Sequence, residues 1–190
     1  LLVDVTLDYK TCEFLAAPHS DFDVVVCEGR QPAVMATFCK TLFPVNPFRI
    51  YLTCSVREQA MRYVSRECGE DALAAVEKVL CEEGAMGGGG GGDEFTFASL
   101  ADVLEVFRAA PSLRSFDGMD RVVAGFEDNM SRDADDKARF DVLYGPQCHY
   151  RHPHFYDLIV DTSDISSQEK VDTVASAFAT WWRGERRECS

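Results

Sequence analysis

The sharpest chemical spacing lies in "SRDADDKARFDVLYG", where Arg132, Asp136 and Arg139 fall at i, i+4 and i+7 and share one narrow face of a helix, with Ala134, Ala138 and Val142 on another. Two guanidiniums with a carboxylate between them suit a phosphate and a neighbouring hydroxyl pair. A surface salt-bridge ladder is an equal reading of that spacing alone. Arg62 and Arg66 repeat the i, i+4 spacing in "SVREQAMRYVSREC" and by themselves read as a solvent-facing basic stripe. In "DFDVVVCEGRQP" an apolar run ends in Glu28-Gly29-Arg30. The glycine permits close backbone approach and the arginine supplies a planar fork that fits phosphate. Taken alone, that acid and arginine fit a solvated loop pair better. In "CHYRHPH", Cys148, His149, His152 and His154 offer sulfur and nitrogen donors. A tetrahedral zinc site needs well-placed ligands and usually a second cluster, so a loop rich in polar aromatics is preferred and no metal site is expected.

Three apolar runs are expected to position these residues. "DVVVC", residues 23 to 27, has the β-branched continuity of a strand buried on both faces of a parallel sheet; "FRIYLTC", 48 to 54, is a second and "DLIVDTS", 157 to 163, a third. Helical patterns separate them: "AVMATFCKTLF", then the segment with Ala60, Met61, Val64 and Cys68, then Leu73, Val76 and Leu80. Near the C-terminus, Ser166 and Glu169 match a capping box ahead of Val171, Val174, Phe178 and Trp181. The alternation predicts an α/β fold with a parallel sheet. Residues 69–125 carry two helical patterns that the alternation does not need, and read as an insertion between core segments 1–68 and 126–190. The glycine-rich stretch 86–92 inside it is a flexible linker; it lacks Gly-x-x-x-x-Gly-Lys-Ser/Thr and follows no expected strand.

With 190 residues and 46% hydrophobic content, the chain is long enough for one compact core plus a smaller subdomain. Nineteen basic against 32 acidic residues give a formal charge of −13, which repels polymeric nucleic acid and anionic membrane surfaces. Mononucleotides remain compatible, because clustered arginines hold a phosphate whatever the net charge. No apolar run is long enough to span a membrane. The eight cysteines include no Cys-x-x-Cys pair and several lie in apolar runs, which reads as buried thiols in a reducing, cytoplasmic compartment; an organelle is compatible if a leader has been removed.

Taken in order, "VVVCEGR", "RIYLTCSVREQAMRYVSRE", "RDADDKAR" and "YDLIVDTSDISSQEKV" resemble the cytidylate kinases of the nucleoside monophosphate kinase group, and the ending looks closest to the archaeal-type members. The resemblance covers roughly residues 4 to 68 and 126 to 180. It implies a P-loop NTPase-like doubly wound sheet with helices on both faces and ATP-dependent phosphoryl transfer to CMP or dCMP, with Mg²⁺ accompanying ATP. By the same resemblance, Arg30, with Glu28 and Gly29 beside it, would hold the acceptor phosphate. Arg132 and Arg139 would clamp that phosphate and the transferring group, and Asp136 would accept from the ribose hydroxyls. Arg62 and Arg66 would be lid arginines on the donor, and the segment of Thr162 and Ser163 would lie near its adenine. Phosphoryl transfer asks for positioning and charge neutralisation more than for covalent help, so an arginine-rich site agrees with it.

The family's Gly-rich phosphate loop and its strand are not among the 190 residues. Without them no backbone cradle holds the β- and γ-phosphates, so the chain by itself is expected not to turn over. That strand would stand between those of Val25 and Ile50, and its absence leaves two unpaired edges. A missing N-terminal segment or a second polypeptide is therefore expected to complete the sheet. Gln31-Pro32 stands where bacterial members carry an aspartate, which leaves the acceptor base open. A catalytically inactive kinase-like scaffold in a larger assembly is the competing expectation.

Overall fold

The computed structural model describes residues 2–17, 24–30, 32–43, 45–87 and 99–188. In chain order the elements are α1 (Leu2–Ala16), α2 (Pro32–Leu42), β1 (Ile50–Thr53), α3 (Val56–Cys68), α4 (Glu70–Gly87), α5 (Leu100–Ala109), α6 (Met119–Tyr144), β2 (Leu158–Asp161) and α7 (Ser167–Glu188), with short 3₁₀ turns at Pro111–Ser115, Pro146–Cys148 and Pro153–Phe155. The protein is α/β, mostly helical, with one two-stranded parallel sheet among the described residues. It divides into two units, Leu1–Thr53 with Asp136–Ser190, and Cys54–Asp135, and the division falls inside α6.

In the first unit β1 and β2 run parallel in the register Ile50↔Leu158, Tyr51↔Ile159, Leu52↔Val160 and Thr53↔Asp161. Two of the three expected strands are thus present and adjacent. The third is not: residues 24–28 adopt no regular element, Val26 is 87% exposed, and Asp23 lies outside the described residues. β-branched residues favour a pleated conformation only where neighbours cover them, and no described strand pairs with this run. Nor are the two strands that form buried on both faces, since Leu52 and Ile159 are exposed. Phe140 of α6 anchors one small core, with Ala33 and Val34 of α2, Tyr150 and Phe155; Cys12 of α1 and Met35 of α2 form another. α7 starts as its sequence says: the Ser166 hydroxyl accepts from the Glu169 N–H at 3.2 Å, and the Glu169 carboxylate accepts from the Ser166 N–H at 2.8 Å. Its Phe178 and Trp181 pack on Phe48, at 6.0 and 5.2 Å between ring centroids.

The second unit is a helical body. Ser55 caps α3, and Ala60 and Val64, one turn apart, bury the stripe the sequence displays. α4 adds Ala72, Val76 and Leu80, and α5, opened by a Ser99/Asp102 capping box, adds Val103, Leu104 and Phe107. Val122 and Phe126 of α6 complete one continuous core. Phe126 meets Tyr63 edge-on at 4.9 Å and Phe107 in a stacked pair at 5.7 Å. Gly118 takes φ +91°, and a Cβ there would stand 2.2 Å from the Glu67 carbonyl oxygen, so no other residue fits this close approach. Both helical patterns of 69–125 therefore exist as α4 and α5; of the linker glycines, those at 88–92 lie outside the described residues.

The cysteine expectation needs correction. Cys12 is buried, but Cys54, Cys68 and Cys148 are half-buried, and Cys27 and Cys81 are exposed, all as free thiols. Cys27 follows the uncovered valines and shares their exposure, and Cys81 sits beside, not on, the buried stripe ending at Leu80.

Candidate functional site

The first unit brings together two of the expected site residues that are 106 positions apart. The Arg30 Nη1 donates to the Asp136 Oδ2 at 2.9 Å, with each side chain about one quarter exposed at 26% and 24%. The Glu28-Gly29-Arg30 turn makes this possible. Gly29 takes φ +147°, a region that side chains disfavour, and so redirects the chain from the valine run toward α2. The Arg30 side chain thereby meets α6, where Phe140, fully buried, sets the rotation of the helix. Asp136 and Arg139 lie on the inward side of that anchor, while Ala134, Ala138 and Val142 face solvent. The charged stripe is therefore the partly covered one and the small apolar stripe the exposed one. In Arg139 the Nε and Nη2 are shielded from water and the guanidinium lies 5.8 Å from the centroid of the Phe140 ring. Arg30 and Asp136 thus form a partly covered ion pair, and Arg139, three residues further along α6, is a second partly covered guanidinium of the same unit.

Thr162 and Ser163 stand just past the carboxyl end of β2. The buried Thr162 hydroxyl donates to the Thr53 carbonyl at 2.8 Å, tying the ends of both strands together. Asp161 accepts from the Ser163 hydroxyl at 2.6 Å and from its N–H at 2.9 Å, and these bonds hold the Asp161 carboxyl below the usual carboxylate range. The strand ends thus present the Asp161 carboxylate and the Ser163 hydroxyl ahead of the α7 N-terminus, with the Thr162 hydroxyl turned inward.

The remaining arginines belong to the second unit. The Arg62 Nε pairs with Glu58 one turn away at 2.9 Å. Arg66 pairs with Glu67 at 2.9 Å and lies 4.6 Å over the Tyr63 ring. Hydrogen bonding from Arg66, and further from Arg121, keeps the Glu67 carboxyl low. Arg62 thus sits in an i, i+4 ion pair that helical spacing favours, while Arg66 pairs with its neighbour in sequence. Arg132 is exposed on the part of α6 that belongs to this unit, whereas Asp136 and Arg139 belong to the first.

Of the ion pairs that the sequence reading missed, one joins the two strands. Arg49 makes a fork on Asp157: Nη2 donates to Oδ1 at 2.8 Å and Nε to Oδ2 at 2.9 Å, while the Arg49 backbone N–H reaches Oδ2 at 2.8 Å. Burial pushes the Asp157 carboxyl up, but the bonds from Arg49 outweigh it and hold the group below its ordinary value; the Asp157 hydrogen bond in turn raises Arg49. Nothing local in "RIYLT" or "DLIVD" marks the pair; it is the register Ile50↔Leu158 that sets the residues preceding the two strands side by side. Beside this pair Tyr51 stacks on Tyr156 at 4.8 Å, and the Tyr156 hydroxyl donates to the Tyr150 carbonyl. Burial pushes the Tyr156 phenol up to about 12.

In the histidine loop, His149 Nδ1 accepts from the Arg151 N–H at 3.3 Å, and the Nδ1 atoms of His152 and His154 stand 2.6 Å apart. No group of three or more His, Cys, Asp or Glu side chains among the described residues is placed to hold a metal. No described helix is long and apolar enough to cross a membrane. Comparisons of the chain with protein-family models, with curated proteins and with solved structures returned no match.

Proposed function

We propose that the protein is a nucleoside monophosphate kinase-like protein whose first unit binds a pyrimidine nucleoside monophosphate, CMP or dCMP, as phosphoryl acceptor. The observation that carries this reading is the contact between Arg30 and Asp136. An arginine at the end of an apolar run and an acid on a distant helix meet in one partly covered place, with Arg139 on the same helical side. Each has work to do there: Arg30 and Arg139 neutralise the phosphate dianion, and Asp136, released from Arg30 when phosphate takes its place, accepts from ribose hydroxyls. Thr162 and Ser163 stand toward the donor base in this reading. Mg²⁺ travels with the ATP phosphates, because one or two carboxylates suffice for an ion that keeps most of its waters. Turnover requires the phosphate loop, contributed by a preceding segment or by a second polypeptide whose strand joins the sheet in a P-loop NTPase-like order.

The test begins with binding. Calorimetry of the chain with CMP is expected to give a saturable heat that Arg30→Ala and Asp136→Ala each reduce at least tenfold; no heat and no CMP-dependent thermal shift overturns the acceptor site. In a protein completed by a phosphate loop, Arg139→Ala abolishes turnover with the fold intact, and a wild-type kcat for that variant defeats the kinase assignment.

A scaffold reading is favoured by one observation. Every exposed large apolar side chain among the described residues, from Phe14 and Val26 to Leu52, Ile159 and Val171, belongs to the first unit. Stable co-purification with other proteins, joined to the absence of any nucleotide-dependent thermal shift, selects this alternative.

A further inference from the structure

We infer that His152 and His154 form an open two-imidazole site for a late first-row transition-metal dication, of which Zn²⁺ is the simplest probe. His152 caps the single 3₁₀ turn Pro153–Phe155, and proline between the two histidines fixes φ at the intervening residue, so the rings are held near one another by the backbone. Their Nδ1 atoms are 2.6 Å apart, with ring centroids at 4.2 Å and planes inclined by 53°. Two imidazole nitrogens at that separation repel if both present lone pairs. An N–H of one ring donating to the lone pair of the other relieves this, and a metal ion bound by both lone pairs does the same. Zinc binds imidazole nitrogen at about 2.0–2.1 Å, so two such bonds at the tetrahedral angle span about 3.3 Å. A swing of the two exposed rings that opens the pair by about 0.7 Å therefore replaces the hydrogen bond by a chelated ion.

The surroundings favour this exchange. Both rings are exposed, which lets a hydrated ion approach and keep water in its other positions. His154 leans on Phe155, at 3.9 Å between ring centroids, and Phe155 is buried, so one ligand is anchored to the core of its unit. Arg151, the nearest cation in sequence, is drawn onto Tyr150: its Nε donates to the Tyr150 hydroxyl at 3.2 Å and its guanidinium lies 5.6 Å from that ring centroid. The formal charge of −13 adds a field that attracts cations. His149 stands apart, its Nδ1 already accepting a backbone N–H. With two protein donors the site is open, of the kind that leaves positions for water or for a donor atom from another molecule, and not a closed structural site.

Zinc titration of the full chain, followed by the ring ¹⁵N resonances of its histidines, tests the assignment. The expected result is that the His152 and His154 rings shift together and saturate near one equivalent. His152→Ala and His154→Ala each weaken that binding at least tenfold, and His149→Ala leaves it unchanged. Because both ligands are exposed, neither substitution should disturb the fold, which circular dichroism checks. Wild-type affinity in either ligand variant overturns the proposal. So does a shift confined to one ring, or zinc uptake by the thiols with both rings unmoved.

Discussion

The two units of this chain differ in how much of their apolar surface they bury. The second unit closes one core from four helical segments, with Phe107, Leu80, Leu113, Val122 and Phe126 inaccessible or nearly so and aromatic rings in edge-on and stacked contact. The first has two small clusters, with Val160 buried outside both, and leaves Val24, Val25, Val26, Leu52 and Ile159 exposed. Both are rich in apolar residues, so composition does not explain the contrast. Helices can satisfy their backbones internally and bury a stripe with local partners, whereas strands need neighbours for hydrogen bonds and for both faces. A two-stranded parallel sheet has too few. The unit that joins Arg30 to Asp136 is thus also the one that leaves large apolar side chains exposed.

Truncating a core ring in each unit is the strongest way to break this comparison. Phe126→Ala is expected to cost about 3–5 kcal/mol, because a continuous, ring-packed core cannot collapse around the void. Phe140→Ala removes a ring that is equally buried but belongs to a small cluster, and should cost less, about 2–3 kcal/mol. Urea unfolding of both variants decides: a larger loss for Phe140→Ala makes the first unit the better packed of the two.

A smaller effect is expected at the start of the strands. Asp157→Asn removes a charged fork that is only partly screened from solvent, and should cost about 1–2 kcal/mol at neutral pH. Because the folded carboxyl lies below its unfolded value, that stabilisation is complete above the unfolded carboxylate pKa of about 3.9 and fades as pH falls through the lower, folded value. Thermal unfolding of wild type and variant should therefore converge only in strong acid; a difference that persists unchanged there removes the ion pair as its cause. Tyr156 acts at the other end of the scale. Its folded pKa of about 12 lies above the ordinary phenol value of about 10, so between pH 10 and 12 the wild type loses more stability than Tyr156→Phe does, and parallel alkaline unfolding curves would count against a buried phenol.

The smallest effect sharpens the comparison. Val26→Lys in the isolated chain should change stability by less than about 0.5 kcal/mol, because an 87% exposed side chain gives up almost nothing. Measured in the protein with its proposed completing strand, the same substitution should weaken association. A cost above about 1 kcal/mol in the chain alone would mean that the valine run is already covered.

By itself the sequence determined what local chemistry can determine. The α3 stripe of Ala60 and Val64, the Ser166/Glu169 cap of α7, and the apolar runs that form strands at 50–53 and 158–161 followed from periodicity and capping residues a few positions apart. The acid and arginines of α6 were legible as one helical face because their spacing is a property of the helix. Tertiary structure alone decided which way that face turns, since the rotation of α6 is set by the distant partners of Phe140; that Asp136 receives Arg30; and that Arg49 forks on Asp157 across 108 residues. It also decided against a strand at 24–28, because β-branched residues state a preference for pleated backbone that only a neighbouring strand can satisfy.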